Sequence, residues 1–73
     1  MDFIIIVYIM INVEYLEMNQ VCLLKNEQTG KLIKKVKFSQ GNNEEKVYYT
    51  LHFEIDGKIQ TAICGWDDKI TLR

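Results

Sequence analysis

The sequence contains no proline, only four glycines, and a single histidine, serine and arginine among its 73 residues. Hydrophobic residues make up 48% of the chain. This composition is typical of a folding chain and excludes the low-hydrophobicity, high-charge class of disordered proteins. We expect a chain of this length to form one domain, residues 1–73, and its core to be small, because a domain of about 60 residues buries only about 60% of the surface its unfolded chain exposes.

The scarcity of catalytic residue types argues against an enzyme. A Ser-His-acid triad would need Ser39 and His52 to meet, and no nucleophile elbow surrounds the serine. The predicted pairing of the strands brings no base beside Cys64. We therefore predict no catalytic residues; a small enzyme built around His52 or Cys64 is the third of three functional hypotheses.

Metal and cofactor sites are also not predicted. Cys22 and Cys64 stand 42 positions apart with one histidine in the chain, which does not supply the three or four ligands of a zinc site at recognisable spacings. The glycines are isolated, so no phosphate-cradling loop is present. Small disulfide-stapled domains usually carry more cysteines, and we expect these two to be buried, reduced thiols.

The formal net charge of −1 gives no overall attraction to nucleic acid or to an anionic membrane. Between residues 25 and 38, however, five lysines oppose one glutamate, a local net charge of +4. Lysines with neighbouring aromatic residues are typical of single-strand nucleic-acid binding, whereas lysines on an exposed strand also keep a sheet edge soluble. The only arginine is the last residue, which weakens the nucleic-acid interpretation.

The predicted interaction surface combines these lysines with polar-face and aromatic residues. Trp66 is included as a partner anchor, although burial in the core is the favoured interpretation of that residue. The candidate residues are Lys31, Lys34, Lys35, Lys37, Tyr48, His52 and Trp66.

The clearest local pattern is the alternation of apolar and polar residues over residues 47–55, which predicts a half-buried strand. Asp56 and Gly57 follow, and the β-rich run from Ile59 to Trp66 completes a hairpin. A three-residue loop that pairs Phe53 with Ile59 matches apolar residues on each face. We therefore expect that register over the alternative two-residue turn.

A second hairpin is predicted between residues 21–24 and 32–38, whose lysines would form a wet face opposite Val36 and Phe38. Residues 39–45 lack apolar side chains and are expected to be the longest and most mobile loop. For residues 12–20 the pattern suits either a bulge or a short helix, and we expect a continued, kinked strand. Residues 70–72 are expected to form a last edge strand.

The N-terminal run from Phe3 to Ile11 is apolar at both parities. It is too short for a membrane span and lacks the positive leading region of a signal peptide, so we expect a cytoplasmic chain without a membrane partner. A strand without a polar face must be covered on both sides. The sequence therefore predicts either closure of the sheet or homo-oligomerisation through Phe3 to Ile11.

Together these patterns predict a mainly β fold: a small antiparallel meander of five or six strands, either a curved sheet or an SH3-like or OB-like barrel, with one short helix as an option. We expect a non-catalytic protein-interaction module, such as a small bacterial or phage-type regulator or inhibitor, that presents a sheet face or edge to a protein partner. A single-stranded nucleic-acid-binding β-barrel is the alternative.

Overall fold

The computed structural model describes residues 9–41 and 46–73. They form a mainly β fold in which all strand pairs are antiparallel, as predicted. Two 3-10 turns, Val13–Tyr15 and Lys25–Glu27, interrupt the strands. The strands are β1 (Ile9–Asn12), β2 (Val21–Leu23), β3 (Thr29–Gln40), β4 (Lys46–Ile55), β5 (Lys58–Gly65) and β6 (Lys69–Leu72).

The six strands form one sheet in the order β1-β6-β2-β3-β4-β5. Strands β2 to β5 are a meander, whereas β6 returns to lie between β1 and β2. The prediction of a terminal edge strand was therefore wrong, because both sides of β6 are hydrogen-bonded. Within the described part of the chain the edges are β1 and β5, and the sheet is not closed into a barrel.

The core lies on one face of this sheet, which we call the inner face. Alternate residues of β4 supply its centre, because successive side chains of a strand point to opposite sides. The apolar alternation predicted for β4 is confirmed. The buried core residues are Val13, Leu16, Cys22, Leu32, Tyr49, Leu51 and Phe53.

Residues 13–15 form a 3-10 turn, so the prediction of a continued, kinked strand after residue 12 was wrong. The backbone N–H of Val13 donates to the carbonyl of Asp68 at 2.8 Å, which ends β1 beside the start of β6. Residues three apart lie on the same side of a 3-10 helix, and both Val13 and Leu16 are buried. Burial of this pair thus explains the turn.

The β4–β5 hairpin has a two-residue turn, so the predicted three-residue register was wrong. Asp56 and Gly57 both have positive φ, 50° and 78°, as a type I′ turn requires. This turn matches the right-handed twist of the strands, and it sets Phe53 opposite Gln60. As a result, Ile59 and Ile63 lie on the sheet face opposite the core.

The predicted β2–β3 hairpin is present, with Val21 opposite Lys31. Its second strand begins at Thr29 and extends to Gln40, so it also includes the first residues of the segment expected to be a loop. Residues 42–45 of that loop lie outside the described residues. The same is true of residues 3–8 of the N-terminal run. Of its remaining residues, Ile9 and Met10 are exposed in β1, whereas Ile11 is half-buried against the core.

Candidate interaction surface

The second face of strands β3, β4 and β5, which we call the outer face, carries several apolar side chains that nothing in the described chain covers. Cross-strand partners share a face, so the residues of β4 between the buried ones define it. Val36, Ile59 and Ile63 are 42%, 64% and 67% exposed. The residues of the outer face are Lys31, Lys34, Val36, Phe38, Tyr48, Thr50, His52, Glu54, Ile59, Thr61, Ile63 and Gly65.

An aromatic pair lies toward the β3–β4 loop on the outer face. Phe38 and Tyr48 are opposite each other, and their rings stack with centroids 5.6 Å apart and an interplanar angle of 23°. Val36 and Ile63 flank Thr50 in the neighbouring row. The apolar surface therefore continues from this pair across to the edge strand.

A β-bulge places these residues on the outer face. The β3–β4 register shifts between Leu32 and Lys34, which adds one residue to β3. A shift of one residue reverses the face of every later side chain. Leu32 is consequently buried in the core, while Val36 and Phe38, which share its parity in the sequence, lie on the outer face.

The same bulge divides the predicted lysine surface. Lys31 and Lys34 lie on the outer face, opposite Glu54 and His52. Lys35 and Lys37 lie on the inner face, opposite Leu51 and Tyr49. The sequence predicted that Lys35 and Lys37 face solvent while Val36 and Phe38 face the core. That prediction was wrong, because these two lysines lie on the inner face. The described structure does not gather the four lysines beside Tyr48 and His52.

Lys35 has a structural role. Its Nζ donates to the carbonyl oxygens of Glu14 at 2.8 Å and Leu16 at 2.9 Å, and it lies 4.8 Å from the centroid of the Tyr49 ring. Burial lowers the pKa of the Lys35 ammonium, and the charge of Glu14 partly opposes that effect. The side chain therefore fastens the 3-10 turn over the inner face, an arrangement that sequence alternation alone could not reveal.

We expect Lys35→Met to lower the free energy of unfolding by about 1 kcal/mol, because it keeps the apolar stem but removes the donor for two carbonyls. Lys37→Met, on the exposed residue one row further along the same face, should change it by less than about 0.5 kcal/mol. Urea unfolding followed by circular dichroism measures both. Equal stability of the two variants would contradict the structural role of Lys35.

The candidate catalytic residues are not brought together. Ser39 is opposite Val47, five residues before His52 on β4, which corresponds to roughly 17 Å along a strand. That odd spacing also puts Ser39 and His52 on opposite faces. The Nδ1 atom of His52 is instead 3.2 Å from the hydroxyl of Thr61 on the outer face.

The two cysteines are free thiols, Cys22 buried and Cys64 half-buried. Burial raises the pKa of Cys22; burial first, and then the charge of Asp68, raise the pKa of Cys64. Both thiols are consequently protonated at neutral pH, whereas a nucleophilic cysteine requires the thiolate. Cys64 is opposite Tyr49 on the inner face, while His52 is on the outer face.

Trp66 directly follows β5, and its backbone N–H donates to the carbonyl of Val47 at 3.2 Å. The side chain is 49% exposed, so the favoured interpretation as a core residue was wrong. It lies in a shallow depression lined in part by Tyr48 and Gly65. Its exposure at the end of the edge strand suits the second interpretation, a partner anchor.

The inner face holds one further concave feature, an open apolar cleft of about 460 Å³ between β5 and the β2–β6 side of the sheet. Its lining includes Leu24, Phe53, Ala62, Cys64 and Ile70. The cleft lies where the described sheet fails to close. Its apolar lining continues the core, and the polar residues Lys25, Gln60, Thr61 and Lys69 also line it.

Residues 9–41 and 46–73 contain no group of three or more side chains suited to hold a metal ion. No helix in this part of the chain is long and apolar enough to cross a membrane. A comparison with protein-family models and a search of curated proteins found no match.

Proposed function

We propose that the chain is a non-catalytic protein-interaction module, of the kind that small regulators and inhibitors use, and that it binds a protein through the outer face and the open edge of β5. The observation that carries the proposal is the exposure of Val36 and Ile63, at 42% and 67%, in the row next to an aromatic stack, with Ile59, 64% exposed, further along the edge strand. Contiguous exposed apolar residues on a small domain mark interaction sites.

The edge and the face suit the same kind of partner. Strand β5 runs for eight residues and carries one charge, at Lys58, so little in it discourages another strand from pairing. In strand addition the backbone hydrogen bonds supply affinity, and alternate side chains supply specificity. Ile59 and Ile63 would give that specificity on the outer face.

The alternative function, single-strand nucleic-acid binding, has less geometric support. It requires a basic groove with aromatic platforms, and the bulge in β3 separates Lys31 and Lys34 from Lys35 and Lys37. Lys35 is also occupied by two backbone carbonyls.

A reducing, cytoplasmic location is part of the proposal and is supported by the two free thiols.

Site-specific photo-crosslinking tests the proposal. A photo-reactive benzoylphenylalanine replaces Ile63 in the full chain, which is irradiated in lysate of its own host. The same group at Met18, a residue 46% exposed but outside the outer face, is the matched control. We expect protein adducts at position 63 and none at position 18, and we expect adducts to a different protein to be lost when Val36→Lys is added.

Three results would contradict the proposal: equal adducts at positions 63 and 18, adducts to a different protein that survive Val36→Lys in a chain with unchanged circular dichroism, and adducts removed by nuclease. The last of these would assign the surface to nucleic acid. Mass spectrometry of the adduct also separates a second copy of this chain from a different protein.

A further inference from the structure

The open edge of β5 has a defined hydrogen-bonding parity. In a two-residue hairpin the residues next to the turn, here Ile55 and Lys58, form a hydrogen-bonded pair, and such pairs recur at every second residue. Ile59, Thr61 and Ile63 belong to the intervening pairs, so their backbone N–H and C=O groups point away from β4. The same three residues place their side chains on the outer face.

The row Ile59, Thr61 and Ile63 has the same order of side chains, isoleucine, threonine, isoleucine, in both chain directions. If a second copy runs antiparallel with its Thr61 opposite Thr61, each Ile59 meets an Ile63. In this register the pairs 61–61, 59–63 and 63–59 bring together backbone N–H and C=O groups that point away from β4 in both copies. The two residues of each pair therefore exchange both N–H···O bonds. Apolar side chains meet apolar side chains on the outer face, where they are 64% and 67% exposed in the single chain.

The charges at the two ends of β5 favour the antiparallel direction. Lys58 is the only charged residue of the strand, and Asp67 and Asp68 follow its other end. With Thr61 opposite Thr61, antiparallel pairing sets the lysine of each copy opposite Cys64 of the other, at the end of the strand that leads into the acidic turn. Parallel pairing would instead place lysine beside lysine and the two acidic turns together, which is unfavourable.

We infer that the occupant of this edge is a second copy of the chain, paired through β5 with Thr61 on the twofold axis, so that one sheet continues through both copies. The inference rests on the proposed function, because it uses the same edge and face. It differs from the association expected through Phe3 to Ile11, since β1 lies at the opposite edge of the sheet.

Sedimentation of the intact chain and two variants tests this dimer. Thr61→Pro removes an N–H that points away from β4, so the hairpin is retained while a second strand is blocked. Thr61→Val keeps that N–H and loses only the contact with His52. We expect the wild type and Thr61→Val to sediment at twice the monomer mass, and Thr61→Pro to weaken the association constant about tenfold or more.

Cysteine cross-linking checks the register and does not depend on the fold of the proline variant. Two copies of Thr61→Cys would have Cα atoms about 5.5 Å apart, within disulfide range. Two copies of Ile59→Cys would lie roughly 13 Å apart and should not cross-link. Peptide mapping separates a 61–61 bond from bonds to Cys22 or Cys64.

Loss of the dimer in Thr61→Pro together with a 61–61 disulfide supports the inference. A monomeric wild type without that disulfide overturns it, and so does a dimer that persists in Thr61→Pro while Thr61→Cys fails to cross-link. In either of the last two cases, adducts of a different protein at position 63 would leave the proposed interaction function standing.

Discussion

Leu51→Ala is expected to lower the free energy of unfolding by about 2–5 kcal/mol, the largest effect of any substitution considered for this chain. Leu51 is fully buried at the centre of β4 and is paired on both sides, with Lys35 and Ala62. Its removal costs both the transfer of its side chain and the cavity that remains. A domain of this size has a total stability of roughly 4–11 kcal/mol, so the variant should be close to unfolding at room temperature.

The matched control is Ile63→Ala, which removes the same number of carbon atoms from a side chain that is 67% exposed on the outer face. In the monomer it should change the free energy of unfolding by no more than about 0.5 kcal/mol. Urea denaturation at a concentration where the chain is monomeric measures both. Similar losses in the two variants would mean that the assignment of inner and outer faces is incorrect.

The sequence predicts the fold well where uninterrupted alternation of apolar and polar residues determines which side chains are buried. Residues of β4 alternate without interruption, and Tyr49, Leu51 and Phe53 are buried as the alternation requires. The mainly β class follows from several such runs. The position of β6 could not be derived in this way, because a strand of four residues carries no signal for which neighbours it joins.

The candidate surface could not be predicted because two local features reversed parity. In β3 the bulge after Leu32 moves Val36 and Phe38 out of the core. In the β4–β5 hairpin the type I′ turn at residues 56–57 does the same for Ile59 and Ile63. Pairing apolar residues with apolar residues across the strands had predicted that these four side chains face the core. The type I′ turn and the bulge instead determine the register, and together they create the apolar outer face.

Both reversals of parity expose apolar side chains on the outer face. A sheet that sends apolar residues of two neighbouring strands away from the core loses burial that a small domain needs. Ile59 and Ile63 become buried if another molecule covers them. A second copy paired through β5 would do so, because its Ile63 and Ile59 would lie beside them. The lysines, by contrast, are divided between faces, and Lys35 is held by Glu14 and Leu16.

Gly30→Ala is expected to destabilise the fold by about 1–3 kcal/mol, because it adds a methyl group to a site that is already filled. Gly30 is buried in β3 opposite Cys22. An added Cβ would lie 2.8 Å from Cδ1 of Leu24, 3.0 Å from Cβ of Phe53 and 3.2 Å from Cγ1 of Ile55. The tip of Leu24 can rotate away, but the Cβ of Phe53 is fixed to the backbone of the central strand.

Gly65→Ala is the matched control for this prediction, since its nearest neighbours would be the exposed carboxylates of Asp67 and Asp68, at 3.2 Å and 3.7 Å. The Asp67 side chain can move into solvent, and the Asp68 carboxylate, which accepts from the backbone N–H of Gly65 at 2.8 Å, is already at ordinary contact distance, so a smaller loss is expected. The double variant Gly30→Ala with Leu24→Ala isolates the clash: its loss should be less than the sum of the two single losses, because the shortened residue 24 leaves room for the methyl group. Strict additivity in denaturant unfolding, or a Gly30→Ala chain as stable as the wild type, would show that Leu24 and Phe53 do not lie as close to Gly30 as the structure places them.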